Sequence, residues 1–204
     1  STAANPTANP SSTTTYTVTK TTTANGCTDT DAVDVTVNTT APTAGITNNT
    51  GSTEITCATT SISVTATGGS SYSWDNSLGS NAAATISGAN TYTVTATAAN
   101  GCTDTESVTV TSNTTAPTAA AGSDFTKTCS SNSSGAVIGE SAASGYTYSW
   151  SPTSGLSSST AANPTANPSS TTTYTVTKTT TANGCTDTDA VDVTVNTTAP
   201  TAGI

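Results

Sequence analysis

The 46 residues Ser1–Ile46 occur a second time, without a single change, as Ser159–Ile204. The offset between the two copies is 158 residues, which is far longer than one turn of a solenoid repeat. Repetition over this length is typical of whole domains copied in tandem. The chain must therefore fold into units that recur along it, and every other pattern has to be interpreted within that repeat.

A shorter motif divides the repeat into two unequal parts. NTTAPTA occurs at 38–44, 113–119 and 196–202, in steps of 75 and 83 residues. The two step lengths indicate two alternating types of module. We predict the C-terminal part of one module at 1–41, a complete module at 42–116, and a second complete module at 117–204 that ends with the start of the next linker.

Alternating Val/Thr and Tyr/Thr runs are the main secondary-structure signal, and period-two alternation is typical of half-buried strands. Leu, Ile, Val and Phe make up only about a tenth of the chain, and no stretch has apolar residues at helical spacing. We therefore predict an all-β chain of antiparallel β-sandwich modules. The predicted strands are 15–20, 32–37, 54–57, 62–67, 72–75, 82–86, 91–97, 106–111, 124–129, 136–140, 146–150, 160–166, 173–178 and 190–195.

The first two strands predict a hairpin with a testable register. Asn25–Gly26 between them favours a two-residue type I′ turn, in which both residues have positive φ. That turn would place Val18 opposite Val33, Tyr16 opposite Val35 and Lys20 opposite Asp31. The corresponding Asn100–Gly101 hairpin has a shorter first arm, so there we expect a three-residue loop or a bulge.

The cysteines predict structural disulfides. Cys57 and Cys102 lie 45 residues apart, and Cys129 and Cys185 lie 56 apart, each pair in matching positions of one complete module. We expect one bridge in each module, which for a core this poor in apolar residues would be a large part of the stability. Cys27 is the copy of Cys185, and its partner would lie outside the chain. Disulfides also indicate an oxidising compartment outside the cytosol.

Aromatic residues supply the predicted cores. Trp74 and Trp150 occupy equivalent Tyr-x-Trp segments, and we expect both to lie in the sandwich core together with Tyr16, Tyr92 and Tyr174. The alternative is that an exposed tryptophan forms a platform for sugar rings. Buried tryptophans would favour a structural role and exposed ones a carbohydrate-binding role.

Acidic residues gather after each hairpin turn. Asp29, Asp31, Asp187 and Asp189 are the weak candidates for a calcium site, because one alternating run supplies only two or three of the six to eight oxygens that calcium requires. Solvated charge, partly paired with Lys20 and Lys178, is the favoured interpretation. We expect no cofactor, with calcium as the alternative.

Charge and composition exclude several classes of function. The net charge is −9, with three lysines and no arginine, so we expect neither nucleic-acid binding nor attraction to anionic membranes. No apolar run reaches the length of a membrane-spanning helix. With no histidine and no nucleophile beside a recognisable base, we predict that the chain is not an enzyme.

The segment Tyr146–Val195 resembles the PKD-like/Ig-like repeats of giant secreted surface proteins of gliding Bacteroidota. The resemblance depends on YSW, the NP-x-x-NP stretch, TTTYTVT and ANGCT before a Val-rich strand. It implies an Ig-like or PKD-like sandwich, export to the cell surface, and a role in adhesion or surface fibres. The WDFGDG motif typical of PKD domains is not present.

Together these features predict tandem modules arranged like beads on a string in a non-enzymatic extracellular fibre or adhesin stalk, with neighbouring repeats of the same protein as partners. A carbohydrate-binding adhesion module, with a surface polysaccharide as partner, is the alternative. Lateral assembly into a filament is a third hypothesis, because the 1–46 segment would present an open sheet edge. It would be completed either by a preceding module or by a neighbouring chain.

Overall fold

A computed structural model describes residues 2–203, which form strands and no helix. None of these residues forms a helix of the length and hydrophobicity that a membrane crossing requires. The first part of the chain contains β1 (Thr14–Thr21) and β2 (Thr28–Val35). The next part contains β3 (Gly45–Asn48), β4 (Glu54–Thr56), β5 (Ile62–Thr67), β6 (Ser71–Trp74), β7 (Ala83–Ile86), β8 (Asn90–Thr97) and β9 (Thr103–Asn113). The last part contains β10 (Phe125–Thr128), β11 (Ala136–Val137), β12 (Tyr146–Ser151), β13 (Thr165–Ala166), β14 (Thr172–Thr180) and β15 (Thr186–Asn196).

The strands form small sheets, as the all-β prediction requires. The orders are β1-β2, β3-β5-β7, β4-β9-β8-β6, β10-β15-β14-β12 and β11-β13. Most neighbours are antiparallel, but β4 pairs with β9 and β10 pairs with β15 in parallel. The all-β fold is thus confirmed, and the two parallel pairs lie at edge strands of otherwise antiparallel sheets. A parallel edge strand needs no tight turn, because it reaches the sheet through a longer connection.

The chain divides into two compact units. The first comprises the described residues up to Asn49 with Ser63–Ala84 and Thr91–Val108. The second comprises Thr50–Ile62, Thr85–Asn90 and the described residues from Thr109 on. The module boundaries predicted from the sequence stay a prediction.

The core of the second unit is formed by alternating residues of β12, β14 and β15. Trp150, Tyr174 and Val176 are at most 2% exposed, and they belong to one apolar cluster. Further members of that cluster are Ala119, Ala121, Ile138, Tyr148, Ala162, Ala166, Val191 and Val193. The period-two spacing of these strands places every second side chain on this face.

The first unit buries a smaller set of side chains. Trp74 is 5% exposed and Tyr92 is 7% exposed, and Val64, Ala66, Val94 and Ala96 are buried as well. Tyr16 does not belong to this set. It is 39% exposed, and Val18 and Val33 beside it are more exposed still. The prediction that Tyr16 lies in a core is therefore wrong for this chain, because this face of the hairpin lines a surface pocket with residues 3–8 and stays partly open to solvent.

The hairpin register predicted for β1 and β2 is also corrected. Tyr16 pairs with Val33, Val18 with Asp31, and Lys20 with Asp29. The Thr22 N–H donates to the Cys27 carbonyl, so the loop has four residues instead of two. Only Gly26 has positive φ, at 70°, whereas a type I′ turn needs two such residues. A shift of two residues leaves every side chain on its predicted face.

The second hairpin agrees with its prediction. The Ala98 N–H donates to the Cys102 carbonyl over 2.8 Å, which closes a loop of three residues. Gly101, with φ of 84°, takes the left-handed conformation that this short loop requires. The expected three-residue loop is confirmed.

Candidate interaction site: linker clamp and disulfide

The described chain contains one disulfide, and it differs from both predicted pairs. Cys57 bonds to Cys185, with 5.0 Å between their Cα atoms, whereas Cys27, Cys102 and Cys129 are free. The predicted pairs Cys57–Cys102 and Cys129–Cys185 are therefore corrected. The observed bond joins residues of the predicted 42–116 and 117–204 modules, and both of its cysteines lie in the second compact unit.

Local structure explains this pairing. Cys57 is exposed at the end of β4, and Cys185 is buried in the β14–β15 loop. The Ala58 N–H donates to the Asn183 carbonyl over 3.3 Å, which brings the two chain segments together next to the bond. Gly184 is needed at this contact, because a Cβ there would lie 2.9 Å from the Ala58 Cβ. The disulfide therefore holds a strand end against a hairpin loop and does not cross a sandwich core.

An asparagine in the same loop binds the preceding linker. The Asn183 side-chain Nδ2 donates to Asn113 Oδ1 over 3.1 Å and to the Thr115 carbonyl over 3.0 Å. Its Oδ1 accepts the Cys185 N–H. Asn183 is only 4% exposed, and both polar atoms of its side chain are used in holding the loop and the linker.

Two aspartates of β15 bind backbone N–H groups at and after the end of the same linker. Asp187 Oδ2 accepts the Ala119 N–H over 2.8 Å, and Asp189 Oδ2 accepts the Ala121 N–H over the same distance. We call the pair formed by Asn183 and Asp187, with the linker 113–119 that they bind, a linker clamp. Hydrogen bonds that a carboxylate accepts are stronger than those between neutral groups, so the clamp fixes the linker backbone at both ends.

The first compact unit contains a second linker clamp. The Asn100 Nδ2 donates to Asn38 Oδ1 over 3.1 Å and to the Thr40 carbonyl over 2.9 Å. Asp104 Oδ2 accepts the Ala44 N–H over 2.9 Å. These residues occupy the same positions in NTTAPTA and in NGCTD as those of the first clamp. The same contact therefore recurs wherever the structure brings a linker to a hairpin of this sequence.

The clamps were missed at the level of sequence, where the NTTAPTA motif and the Asn-Gly hairpins are separate features. The hairpin aspartates by themselves indicate solvated charge or calcium ligands. The available signal was that the two motifs recur in step, three times each. Side-chain hydrogen bonds to backbone leave no pattern of hydrophobicity, so periodicity could not reveal them.

The calcium candidates are used in other ways. Asp187 and Asp189 bind linker N–H groups, and Asp29 and Asp31 accept the N–H of the residue that follows each. Within residues 2–203 no group of three or more His, Cys, Asp or Glu is placed to hold a metal ion.

Lys178 has several partners in the second unit. Its Nζ lies 2.5 Å from Glu140 Oε1, donates to the Thr118 carbonyl and lies 4.4 Å from the centre of the Tyr146 ring. The Glu140 carboxylate raises the pKa of Lys178, and the Lys178 ammonium lowers the pKa of Glu140. The expected pairing of Lys178 with hairpin acids is thus replaced by an ion pair with Glu140.

The two tryptophans point inward. The Trp74 Nε1 donates to the Asn81 carbonyl over 3.0 Å, and the Trp150 Nε1 donates to the Ala161 carbonyl over 2.9 Å. Their rings are buried, so neither can stack on a sugar. Tyr174 is fully buried, and its hydroxyl donates to the Ser154 carbonyl.

Among known proteins, matches to this chain are found in solved structures, at low identity and low TM-score. No known protein family matches the sequence, and no curated protein matches it. The eight N-terminal Ig domains of Down Syndrome Cell Adhesion Molecule match 91% of the chain at 10% identity, with a TM-score of 0.38. The chain spans 28% of that protein's length.

Two further structures match the chain with similar scores. The fibronectin(III)-like modules of Clostridium thermocellum CbhA match 75% of the chain and 95% of their own length, at 14% identity and a TM-score of 0.36. The S-layer protein SbsC matches 93% of the chain and 36% of its own length, at 14% identity and a TM-score of 0.34. The structural neighbours are thus Ig-like, fibronectin III-like and S-layer proteins.

Proposed function

We propose that the chain is a non-enzymatic structural repeat of an extracellular fibre or adhesin stalk on a bacterial cell surface. The main support is that the disulfide joins residues of the two predicted complete modules, 42–116 and 117–204. Two linker clamps and one disulfide bind a linker or strand end to the hairpin that follows it in the sequence. A stalk needs such contacts because load passes from each module to the next.

The disulfide supports export, since such bonds persist in oxidising compartments. The resemblance to surface proteins of gliding Bacteroidota implies the same location. Trp74 and Trp150 are buried, which favours a structural role over carbohydrate binding because a platform for sugar needs an exposed ring.

A mechanical experiment tests the proposal. Single chains would be pulled from their two ends, with and without a reductant, and the length released on unfolding would be measured. The bond encloses a sequence separation of 128 residues, so reduction should add roughly 440 Å, at about 3.5 Å per extended residue. The Cys57→Ser variant should release this length without reductant. Equal lengths in the oxidised and reduced chains would contradict the proposal.

A binding assay on a panel of surface polysaccharides provides the second arm of the test. A stalk module should show no saturable binding. Saturable binding that survives substitution of the clamp residue Asn183 by alanine would instead support the carbohydrate-binding alternative.

A further inference from the structure

The cysteines of the chain fall into two classes by their surroundings. Cys27, Cys102 and Cys185 each follow Asn-Gly in a hairpin, and we call them hairpin cysteines. Cys57 and Cys129 each follow a parallel edge strand, β4 or β10, and we call them strand-end cysteines. The observed disulfide joins one cysteine of each class.

Cys129 is placed in the same way as Cys57. Thr56 Oγ1 accepts the N–H groups of the second and third residues after it, and Thr128 Oγ1 does the same at Cys129. Both turns are also closed by a backbone bond, of 2.9 Å after Thr56 and 2.8 Å after Thr128. Cys129 is exposed, and its Sγ donates to the Thr197 carbonyl at 3.6 Å. It therefore lies beside a linker, 196–202, that has the same sequence as the linker in each clamp.

The hairpin of Cys27 is the matching surface. It lies within the 46 residues identical to those around Cys185, so it carries the same asparagine and aspartate as the clamp of the second unit. Asn25, Cys27 and Asp29 are all exposed, and the contacts described for them are local. In the second unit the corresponding residues are Asn183, Cys185 and Asp187. Asn183 and Asp187 bind a linker, and Cys185 bonds to a strand-end cysteine.

We propose that this hairpin binds a second copy of the chain and forms a disulfide between its Cys27 and Cys129 of that copy. The linker 196–202 of one copy would enter the clamp formed by Asn25 and Asp29 of the other. The observation that carries the inference is that an identical hairpin already makes this bond and this clamp within the same molecule. The inference deepens the proposed stalk function and rests on it.

The chemistry is a thiol–disulfide exchange. The two thiols lose two protons and two electrons as the S–S bond forms, and oxidised glutathione accepts them and becomes two glutathione thiols. Because each copy has one Cys27 and one Cys129, the product is a head-to-tail series of chains.

The test is to oxidise a mixture of unlabelled and ¹⁵N-labelled chains in a glutathione buffer. Cleavage after acidic residues places the five cysteines on five peptides. We expect a ladder of covalent oligomers and a mixed-isotope peptide joining Cys27 to Cys129. Cys27→Ser or Cys129→Ser alone should abolish the ladder, and a mixture of these two variants should stop at dimers. Cys102→Ser should leave the ladder intact.

A clamp variant tests the docking step separately. Asn25→Ala should slow cross-linking about tenfold, because two hydrogen bonds to the incoming linker are lost, whereas the exposed Thr23→Ala should not. In every variant the Cys57–Cys185 peptide reports that the second unit has folded. Three outcomes would overturn the inference. The chain could stay monomeric although the Cys57–Cys185 peptide is present, the ladder could persist in Cys129→Ser, or the links could be symmetrical Cys27–Cys27 bonds. Failure here leaves the pulling experiment, which depends on Cys57–Cys185, unaffected.

Discussion

At the scale of the residue, the second unit depends on a few polar side chains with several partners each. Glu140 accepts hydrogen bonds from the Tyr148 hydroxyl and pairs with Lys178, which also binds the linker carbonyl of Thr118. The identical residue Lys20 lies exposed in the first hairpin. The environment, and not the local sequence, therefore makes Lys178 a structural residue.

The Glu140–Lys178 pair predicts a pH dependence. The lysine ammonium holds the pKa of Glu140 below its ordinary value of 4.5. A carboxyl whose pKa is lower in the folded state stabilises the fold above that ordinary value, and this stabilisation is lost as the pH falls through the folded pKa. Urea unfolding of the second unit between pH 6 and 2.5 should show this loss.

Glu140→Gln should destabilise the unit at pH 6 by about 1–3 kcal/mol and remove that part of the pH dependence. Glu54→Gln, which removes an exposed charge, is the control. A Glu140→Gln profile parallel to that of the unaltered chain down to pH 2.5 would contradict the assignment.

The two copies of one cysteine give a matched pair of variants. Cys185→Ser breaks the disulfide, whereas Cys27→Ser changes an exposed free thiol. In the loop-entropy account, opening a loop of more than 100 residues costs about 5 kcal/mol. We expect denaturant unfolding to show a loss approaching that value for Cys185→Ser and almost none for Cys27→Ser. Similar midpoints for the two variants would rule out a stabilising role for the bond.

At the scale of the element, the hairpin loop is both a turn and a binding surface. The loops at Gly26 and Gly184 have the same φ, 70°, and the same hydrogen bond from the glycine N–H to the threonine carbonyl four residues earlier. They differ in what lies against them. A Cβ at Gly184 would meet Ala58, and a Cβ at Gly26 would meet nothing within 4 Å.

Alanine at these two glycines separates turn strain from docking. Both variants bear the cost of positive φ, roughly 1 kcal/mol, but only Gly184→Ala also pushes against Ala58. We expect Gly184→Ala to slow formation of the Cys57–Cys185 bond during oxidative refolding, measured by trapping free thiols, and Gly26→Ala to leave its rate unchanged. Equal rates would mean that the loop does not need this close approach.

At the scale of the whole molecule, one sequence occurs in two environments. Tyr174, Val176 and Val191 are at most 1% exposed, while their copies Tyr16, Val18 and Val33 are 39–64% exposed. Full burial of each such side chain contributes about 1.5–3 kcal/mol. The copy in the second unit should therefore be much more resistant to opening.

Amide hydrogen exchange tests this difference directly. Intrinsic exchange rates are set by local sequence, so they are the same in the two hairpins, and any difference reports tertiary protection. We expect the amides of β14 and β15 to exchange at least a hundredfold more slowly than those of β1 and β2, as measured by NMR. Equal protection would show that the hairpin is stable without the core that covers its copy.

Local sequence was enough to specify most of the strands and the two Asn-Gly hairpins, although β3 lies where no strand was predicted. Alternation of Tyr, Val and Thr identified β14 and its partner, and both copies of the hairpin have the same register, with Tyr16 opposite Val33 and Tyr174 opposite Val191. The backbone geometry of adjacent strands is a local property, so identical sequences gave identical pairing. The two-residue turn was mispredicted because Asn-Gly also suits a longer loop with one positive φ.

Tertiary packing sets which copy is buried, which cysteines bond and what the hairpin aspartates hold. The same Asn-Gly-Cys-Thr-Asp segment is exposed at Cys27 and forms the disulfide at Cys185. The difference arises because residues distant in sequence, such as Ala58, Asn113 and Trp150, lie in the second unit with Cys185. Contacts of that range are set by how the chain packs, and no local pattern encodes them.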